Sequence, residues 1–461
     1  MRKNYFGIQL LDQKKAIQAK IFGLNRNSIV PFSLFFIILL SFTGVKAQTT
    51  FSWRNDQSPA NNVSWLNTSP YYFWNGSAGA IPGGADILYF DGAQGTTMTN
   101  NLTATNRFKI TFGSGGSART INGSTSNTFF DYSGVWPWVR NESSVLQTIG
   151  FPIVVGNTGA YHLELIANSA ALEFTNTINN NSRNILIYGN NSALDAANRY
   201  IRFSNVVSGS GVLNVSQFGA VRINAAQTYT GETQIDNGEL WIESSGSISS
   251  SSTIYVGNGG QLSNTAKLWL SNASGSTTFS NNFTINTGNA NTREVGGLNT
   301  SGTHTFSGNI TNNSSNFSLV ALNAGGTTAF TGAISGSNPI ATRGAGIVSL
   351  SGSNTYTGST TINAGTLRLG AANTIPNTSN LTLNADGVTF STGATTGNTD
   401  QLGTLDLEGN ATLALGTGVH TLTFANSSSV SWNLTKTLTV TGWTGTAGVS
   451  GSAGRIIVGA G

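Results

Sequence analysis

Three histidines, His162, His304 and His420, are the side chains best suited to ligate a metal or carry a proton in this chain. None has a partner at ligand spacing such as His-x-x-x-His, so each reads as an ordinary strand histidine. Asp400, Asp406 and Glu408 form the nearest carboxylate group. Acidic residues from adjacent rungs of a stacked fold can hold calcium, or act as acid and base on a glycosidic bond. Asp406 and Glu408, however, alternate with Leu405 and Leu407 and so point outward, and no Lys or Arg lies close in sequence to serve as a base. Asp86 and Asp91 flank one short apolar run, where turn and capping roles suffice. Cysteine is absent, which excludes disulfides, zinc-thiolate sites and a cysteine nucleophile. These residues predict no catalytic set, no metal site and no cofactor.

Binding is better served. Trp53, Trp65, Tyr71, Tyr72, Phe73 and Trp74, together with Trp136 and Trp138, form an aromatic cluster of the kind that stacks on sugar rings. Trp53, Trp65, Trp74, Trp136 and Trp138 are therefore the candidate glycan-binding residues. The same bulky rings also suit a cap, because the first rung of a stacked β fold is an open edge that must be covered. The cap is the reading we favour.

The elements that would position these residues follow from composition and pattern. Only 9% of the 461 residues are charged, against roughly 25% in an average soluble domain, while 57 are glycine and 8 proline. With 38% apolar residues the chain is too apolar for disorder. The net charge of +4 is misleading. Residues 1–47 hold 7 of the 22 basic groups and 1 of the 18 acidic ones, leaving 15 against 17, or −2, for the rest. Nothing after residue 47 therefore predicts a nucleic-acid-binding face. The leader itself reads as a signal peptide. Basic residues precede the apolar run Phe32–Phe42, and Val45 and Ala47 fit the small positions of a cleavage site. The alternative is an uncleaved membrane anchor at residues 29–44. The expected partner of the leader is the export machinery.

From Gln48 onward no helical period stands out. Short alternating runs such as Leu381-Thr-Leu383, Leu413-Ala-Leu415 and Leu422-Thr-Phe424, bounded by Gly, Asn, Ser and Thr, predict half-buried strands. The segments 219–242 and 346–369 align without a gap at an offset of 127, sharing Thr-Tyr-Thr-Gly at 228–231 and 355–358. Degenerate echoes place aromatics at 229, 255, 279, 306, 330 and 356, with spacings of 26, 24, 27, 24 and 26. A period near 25 fits one coil of a parallel β-helix better than a propeller blade, which needs ~40. Some ~330 coiled residues would make about 13 rungs and a rod of ~60 Å. Stacking also accounts for the low charge: like charges repeated rung after rung repel, whereas outward Thr, Ser and Asn do not.

The run Val348-x-Leu-x-Gly-x-Asn-Thr-Tyr-Thr-Gly-x-Thr-Thr-Ile-x-x-Gly-Thr-Leu-x-Leu-Gly370 resembles the autotransporter-associated β-strand repeat. Residues 219–243 match it well, and the stretch between the two matches weakly. Trp53, Trp65 and Trp74 followed by Asp86–Gly92 resemble the opening of secreted passengers that carry this repeat. The stretch from Leu438 to Ile457 is similar to passengers of Bacteroidetes-type secreted proteins. The resemblance implies an all-β, right-handed single-stranded parallel β-helix (a solenoid), exported to the surface or surroundings of a Gram-negative cell, with adhesion or surface scaffolding as its role and no catalysis. Gly257-Asn-Gly-Gly260 is similar to calcium-binding nonapeptides but lacks their Asp.

The expected organisation is a signal helix at 1–47, an N-terminal aromatic cap with first strands at 48–109, the β-helix at 110–440, and a C-terminal strand region at 441–461. The C-terminal translocator barrel or sorting domain of such proteins is not found before Gly461, so truncation is the expectation. Partners predicted on this basis are host or biofilm surface glycans or proteins, and a second copy of the chain end to end. The alternative function is a β-helix polysaccharide lyase or hydrolase.

Overall fold

The computed structural model describes residues 50–53, 63–64, 73–74, 87–91, 97–100, 109–124, 126–129, 136–156, 162–189, 197–257, 265–287, 292–444 and 453–459. The chain divides into two units, 1–47 and 48–461, and every described residue lies in the second. The leader, Trp65, Tyr71, Tyr72, Asp86 and residues 258–260 lie outside the described residues. So do the side chains of Trp53, Phe73 and Trp74.

The described part is an all-β parallel solenoid of about 13 turns. Each turn visits up to three faces. The first is a 15-stranded sheet. The second is a 4-stranded sheet followed by an 8-stranded one, and the third is a 13-stranded sheet followed by a 3-stranded one. Pairing is parallel throughout, except that Phe73–Trp74 pairs antiparallel with Thr50–Trp53 at one end of the 13-stranded sheet. Alternation decides what goes inside. In Leu381–Leu383 and Leu405–Leu407 the leucines are buried and the residue between them is half-buried. The inward residues form one continuous core along the rod, from Leu88 to Phe424.

Turn length varies, and the variation locates the repeat. Leu172 pairs with Ile201, a step of 29 residues, whereas Gly219 pairs with Gly238 and Ile347 with Thr366, steps of 19 each. The short turns are the two matching segments. In each of them one face has no strand, and the Thr-Tyr-Thr-Gly segment crosses it as irregular chain. The missing face differs. Gly219–Ile223 lies in the 15-stranded sheet and its Tyr229 segment crosses the second face, while Ile347–Leu350 lies in the 8-stranded sheet and its Tyr356 segment crosses the third. The offset of 127 residues is thus five turns, from Gly219 to Ile340, plus one face.

The motif is a buried hydrogen-bond device. Tyr229 and Tyr356 are fully buried. The Tyr229 hydroxyl lies 2.8 Å from Thr233 Oγ1, which is 3.0 Å from Ser252 Oγ, and Ser252 donates to the Gly231 carbonyl at 2.7 Å. Tyr356, Thr360, Ser379 and Gly358 repeat this at 2.7, 2.9 and 2.9 Å. Burial pushes both phenols above their ordinary pKa, so the hydroxyls stay protonated and available as donors. Where the aromatic is Phe, the residue four positions on is apolar: Phe279 with Phe283, Phe306 with Ile310, Phe330 with Ile334. Hydroxyls thus occur in pairs or not at all, because a single buried hydroxyl would be unsatisfied. Tyr356→Phe is expected to cost about 1 kcal/mol, and Tyr356→Phe with Thr360→Ile less than the two single costs combined. A denaturant double-mutant cycle checks this; strict additivity would count against the pairing.

Tyr255 does not belong to the inward aromatic series. It sits between buried Ile254 and Val256 and points outward, because spacing alone does not set the parity of a strand.

Candidate functional site: a groove on the 15-stranded sheet

The outward residues of the 15-stranded sheet stack in register. One ladder runs Glu173, Arg202, Arg222, Trp241, Trp269, Gly296, Val320, Arg343. Beside it runs Ala220, Glu239, Lys267, Glu294, Ser318, Ala341. The expectation that stacking excludes charge fails on this face, because the signs are interleaved. Arg202 binds Glu243 at 2.7 Å and lies 3.6 Å from Glu173, and Arg222 lies 3.7 Å from Glu243. Lys267 sits 3.0 Å from Glu239 and 3.6 Å from Glu294, and Arg343 is 3.6 Å from the other oxygen of Glu294. The in-register pair Arg202 and Arg222 is bridged by Glu243. Arg222 is further held between the Tyr200 and Trp241 rings, at 4.1 and 4.6 Å.

A groove of about 630 Å³ opens beside this network, lined among others by Trp241, Trp269, Leu298, Val320, Leu322 and Arg343. The turns pack closely beneath it. Between Trp269 and Val320 stands Gly296, where a Cβ would meet the Val320 carbonyl oxygen at 2.0 Å. Trp269 and Val320, 4% and 2% exposed, form the floor, and Leu322, 47% exposed, stands at the rim. Trp241 donates its ring N–H to Glu239 at 2.7 Å, which fixes its orientation. Burial lowers the Lys267 pKa, but Glu239 and Glu294 outweigh it and hold the ammonium above the usual lysine value. A second hollow of about 340 Å³ adjoins, lined mainly by hydroxyls and amides, and Arg343 borders both.

The residues singled out from sequence lie elsewhere. Asp400 is not part of a carboxylate group with Asp406 and Glu408. It is fully buried in the 3-stranded sheet, where it accepts from the Thr374, Ile375 and Gln401 amides at 3.0, 3.1 and 2.9 Å. Asp406 faces outward on the 15-stranded sheet, and Glu408 is exposed. Among the described residues, no three acidic or histidine side chains converge on a metal-sized space. His304 and His420 are buried in separate strands, and His420 is held by Thr392 Oγ1 at 3.0 Å and the Gly418 carbonyl at 2.9 Å. Trp136 lies against His162, ring centroids 4.0 Å apart, and Trp138 packs under Lys109 at 4.3 Å. Strand Trp138–Asn141 is three strands from Thr50–Trp53 in the 13-stranded sheet, about 14 Å.

Burial pushes the His304 imidazole below its usual pKa, against the raising effect of the Asn272 and Leu270 backbone. Its neutral form therefore supports the fold fully above the unfolded-state pKa of about 6.5, and that support declines as pH falls below it. Melting temperature is expected to drop from about pH 7.5 to about 5.5, and to drop less in His304→Thr, which matches the in-register neighbours Thr277 and Thr328. Equal drops in both proteins would exclude His304 as the cause.

The groove was missed in the sequence because its members come from successive turns. A signal was present: Gly238-Glu-Leu-Trp-Ile242 and Ala266-Lys-Leu-Trp-Leu270 repeat an outward charge–Trp pair at a spacing of 28, with opposite charges.

Comparison with known proteins agrees with the repeat. Residues 218–242 and 343–369 match the family model described as the passenger-associated-transport-repeat. Neither the comparison with curated proteins nor that with solved structures gave a match. The chain thus carries two copies of an autotransporter passenger repeat within a β-solenoid, which together point to a secreted passenger domain.

Proposed function

We propose, with the two passenger-associated transport repeats as the premise, that the chain is an exported β-helix passenger. It acts at or near the surface of a Gram-negative cell as a non-catalytic adhesive module, with the signal pattern in residues 1–47 serving export. The observation that carries the adhesive role is the groove, a hollow with an aromatic and apolar lining on a face otherwise clad in paired charges and hydroxyls. Such a hollow is built on a rigid sheet face, which suits binding.

The absence of catalysis is part of this reading and rests on chemistry in the groove. Of its two carboxylates, Glu239 is held by Lys267 at 3.0 Å, and Glu294 lies between Lys267 and Arg343, 3.6 Å from each. A lyase base needs a lysine pKa lowered toward neutrality, and that of Lys267 is raised. The test is adhesion by Gram-negative cells expressing the full chain. Surface-exposed protein is expected on intact cells or in the medium, with adhesion to glycan-coated surfaces that Leu322→Glu reduces at unchanged surface level. Protein retained in the cytoplasm, or adhesion indifferent to the groove variant, would overturn the reading.

A further inference from the structure

Resting on the reading of the groove as a binding surface, we infer that its ligand is an acidic oligosaccharide, a chain of uronic-acid type, and that Arg343 receives its carboxylate. The cations of this face are not equivalent. Arg202 makes close bonds to Glu243 at 2.9 and 2.7 Å. Arg222 is sandwiched between two rings, and Lys267 lies between two carboxylates. Arg343, at the end of the strand Ile340–Arg343, is half-exposed, and its ionic neighbour Glu294 is 3.6 Å away, beyond hydrogen-bond range. Its planar fork of donors is turned to no close acceptor among the described residues and fits a carboxylate bidentately.

Position adds to charge. Arg343 stands where the apolar groove meets the hydroxyl-lined hollow. On one side Trp241, Leu298 and Leu322 offer apolar surface to the C–H face of a sugar ring. On the other, Ser315, Asn316, Ser318, Ser359 and Thr361 offer neutral donors and acceptors to ring hydroxyls. The two hollows, which share Arg343, together reach from the turn of Trp241 to that of Thr361, five strand steps or about 24 Å along the rod. An extended polymer fits that shape.

Other polymers fit less well. This is a sheet face whose backbone pairs with the turns above and below, so it offers no edge for an added peptide strand. A nucleic acid needs several unopposed cations along its length, whereas here Arg202, Arg222 and Lys267 are each engaged by a carboxylate or a ring and Arg343 stands alone as a receiver.

The experiment uses the full chain in solution with three probes: a polyuronate oligomer, the same oligomer with its carboxyls reduced to alcohols, and a neutral glucan of equal length. Affinity for the polyuronate is expected to exceed that for its reduced form by about tenfold or more, and to weaken with salt. Arg343→Gln should bring the ratio of the two affinities to about one. Leu322→Glu, at a rim position where folding is not at risk, should weaken both. Equal binding of charged and reduced oligomers, or no effect of Arg343→Gln, overturns the acidic-ligand inference while leaving the adhesive reading standing. Failure of all three probes to bind overturns the inference and the groove's glycan role together.

Discussion

Phe306→Ala is expected to cost about 3–5 kcal/mol of folding stability. Phe306 is fully buried among three other rings. It stacks on Phe330 with centroids 5.1 Å apart and planes 8° apart, and meets Phe279 and Phe283 edge-on at 6.0 Å each. Removing it leaves a cavity that parallel neighbours cannot close, because each turn is pinned by backbone bonds to the turns beside it. In a stacked fold contacts reach only adjacent turns, so the damage should stay local. Hydrogen exchange is expected to accelerate in the strands Thr277–Phe279, Thr303–Phe306 and Thr327–Phe330, with the turns around Leu381–Leu383 protected as before. Uniform acceleration along the whole rod would show that the turns unfold as one unit and that this locality is wrong.

The second large effect is at Asp400. Its two oxygens satisfy three backbone amides and accept from the Thr374 hydroxyl at 3.3 Å, all buried except the half-buried Gln401 amide. Burial raises its pKa, opposed by those same donors. Asp400→Ala would leave the two buried N–H groups of Thr374 and Ile375 without acceptors, at about 1–3 kcal/mol each, and free the half-buried Gln401 N–H to water, so a loss of about 2–6 kcal/mol is expected. Asp400→Asn keeps one acceptor oxygen and should lose clearly less. Chemical denaturation of the three proteins decides. A loss as large in Asn as in Ala would mean that the charge rather than the acceptor geometry matters. The same contrast bears on function: a side chain needed to close a turn cannot also serve at the surface as an acid.

The difference between what the sequence told and what it hid has a physical pattern. Inward Leu, Ile and Phe recur strictly enough that the strands, the parallel stack and about 13 turns follow from them. The Thr-Tyr-Thr-Gly motif was legible because its tyrosine and glycine, with the threonine two residues further on, are tied by one buried network. Tyr255 was misplaced because its spacing fits while its parity does not. Asp400 resembled its acidic neighbours because inward polar residues at corners look the same as outward ones. The groove stayed hidden because Trp241, Trp269, Leu322 and Arg343 lie on different turns, and in-register steps that range from 19 residues at Gly219–Gly238 to 37 at Thr50–Ile87 blur any fixed period. The charged ladder was hidden by the assumption that neighbours in a stack carry like charge, where Glu239, Lys267 and Glu294 alternate instead.

The two copies of the repeat begin on different faces of the rod, five turns and one face apart. The unit therefore carries no instruction about azimuth; it needs only a turn below it to pair with. Unequal recombination between the two copies would lengthen the gene by 127 codons without breaking a single rung. It would also swing everything downstream a third of the way around the axis. A lineage could in this way change which side of the rod presents a given surface to the environment while leaving every residue of that surface unaltered.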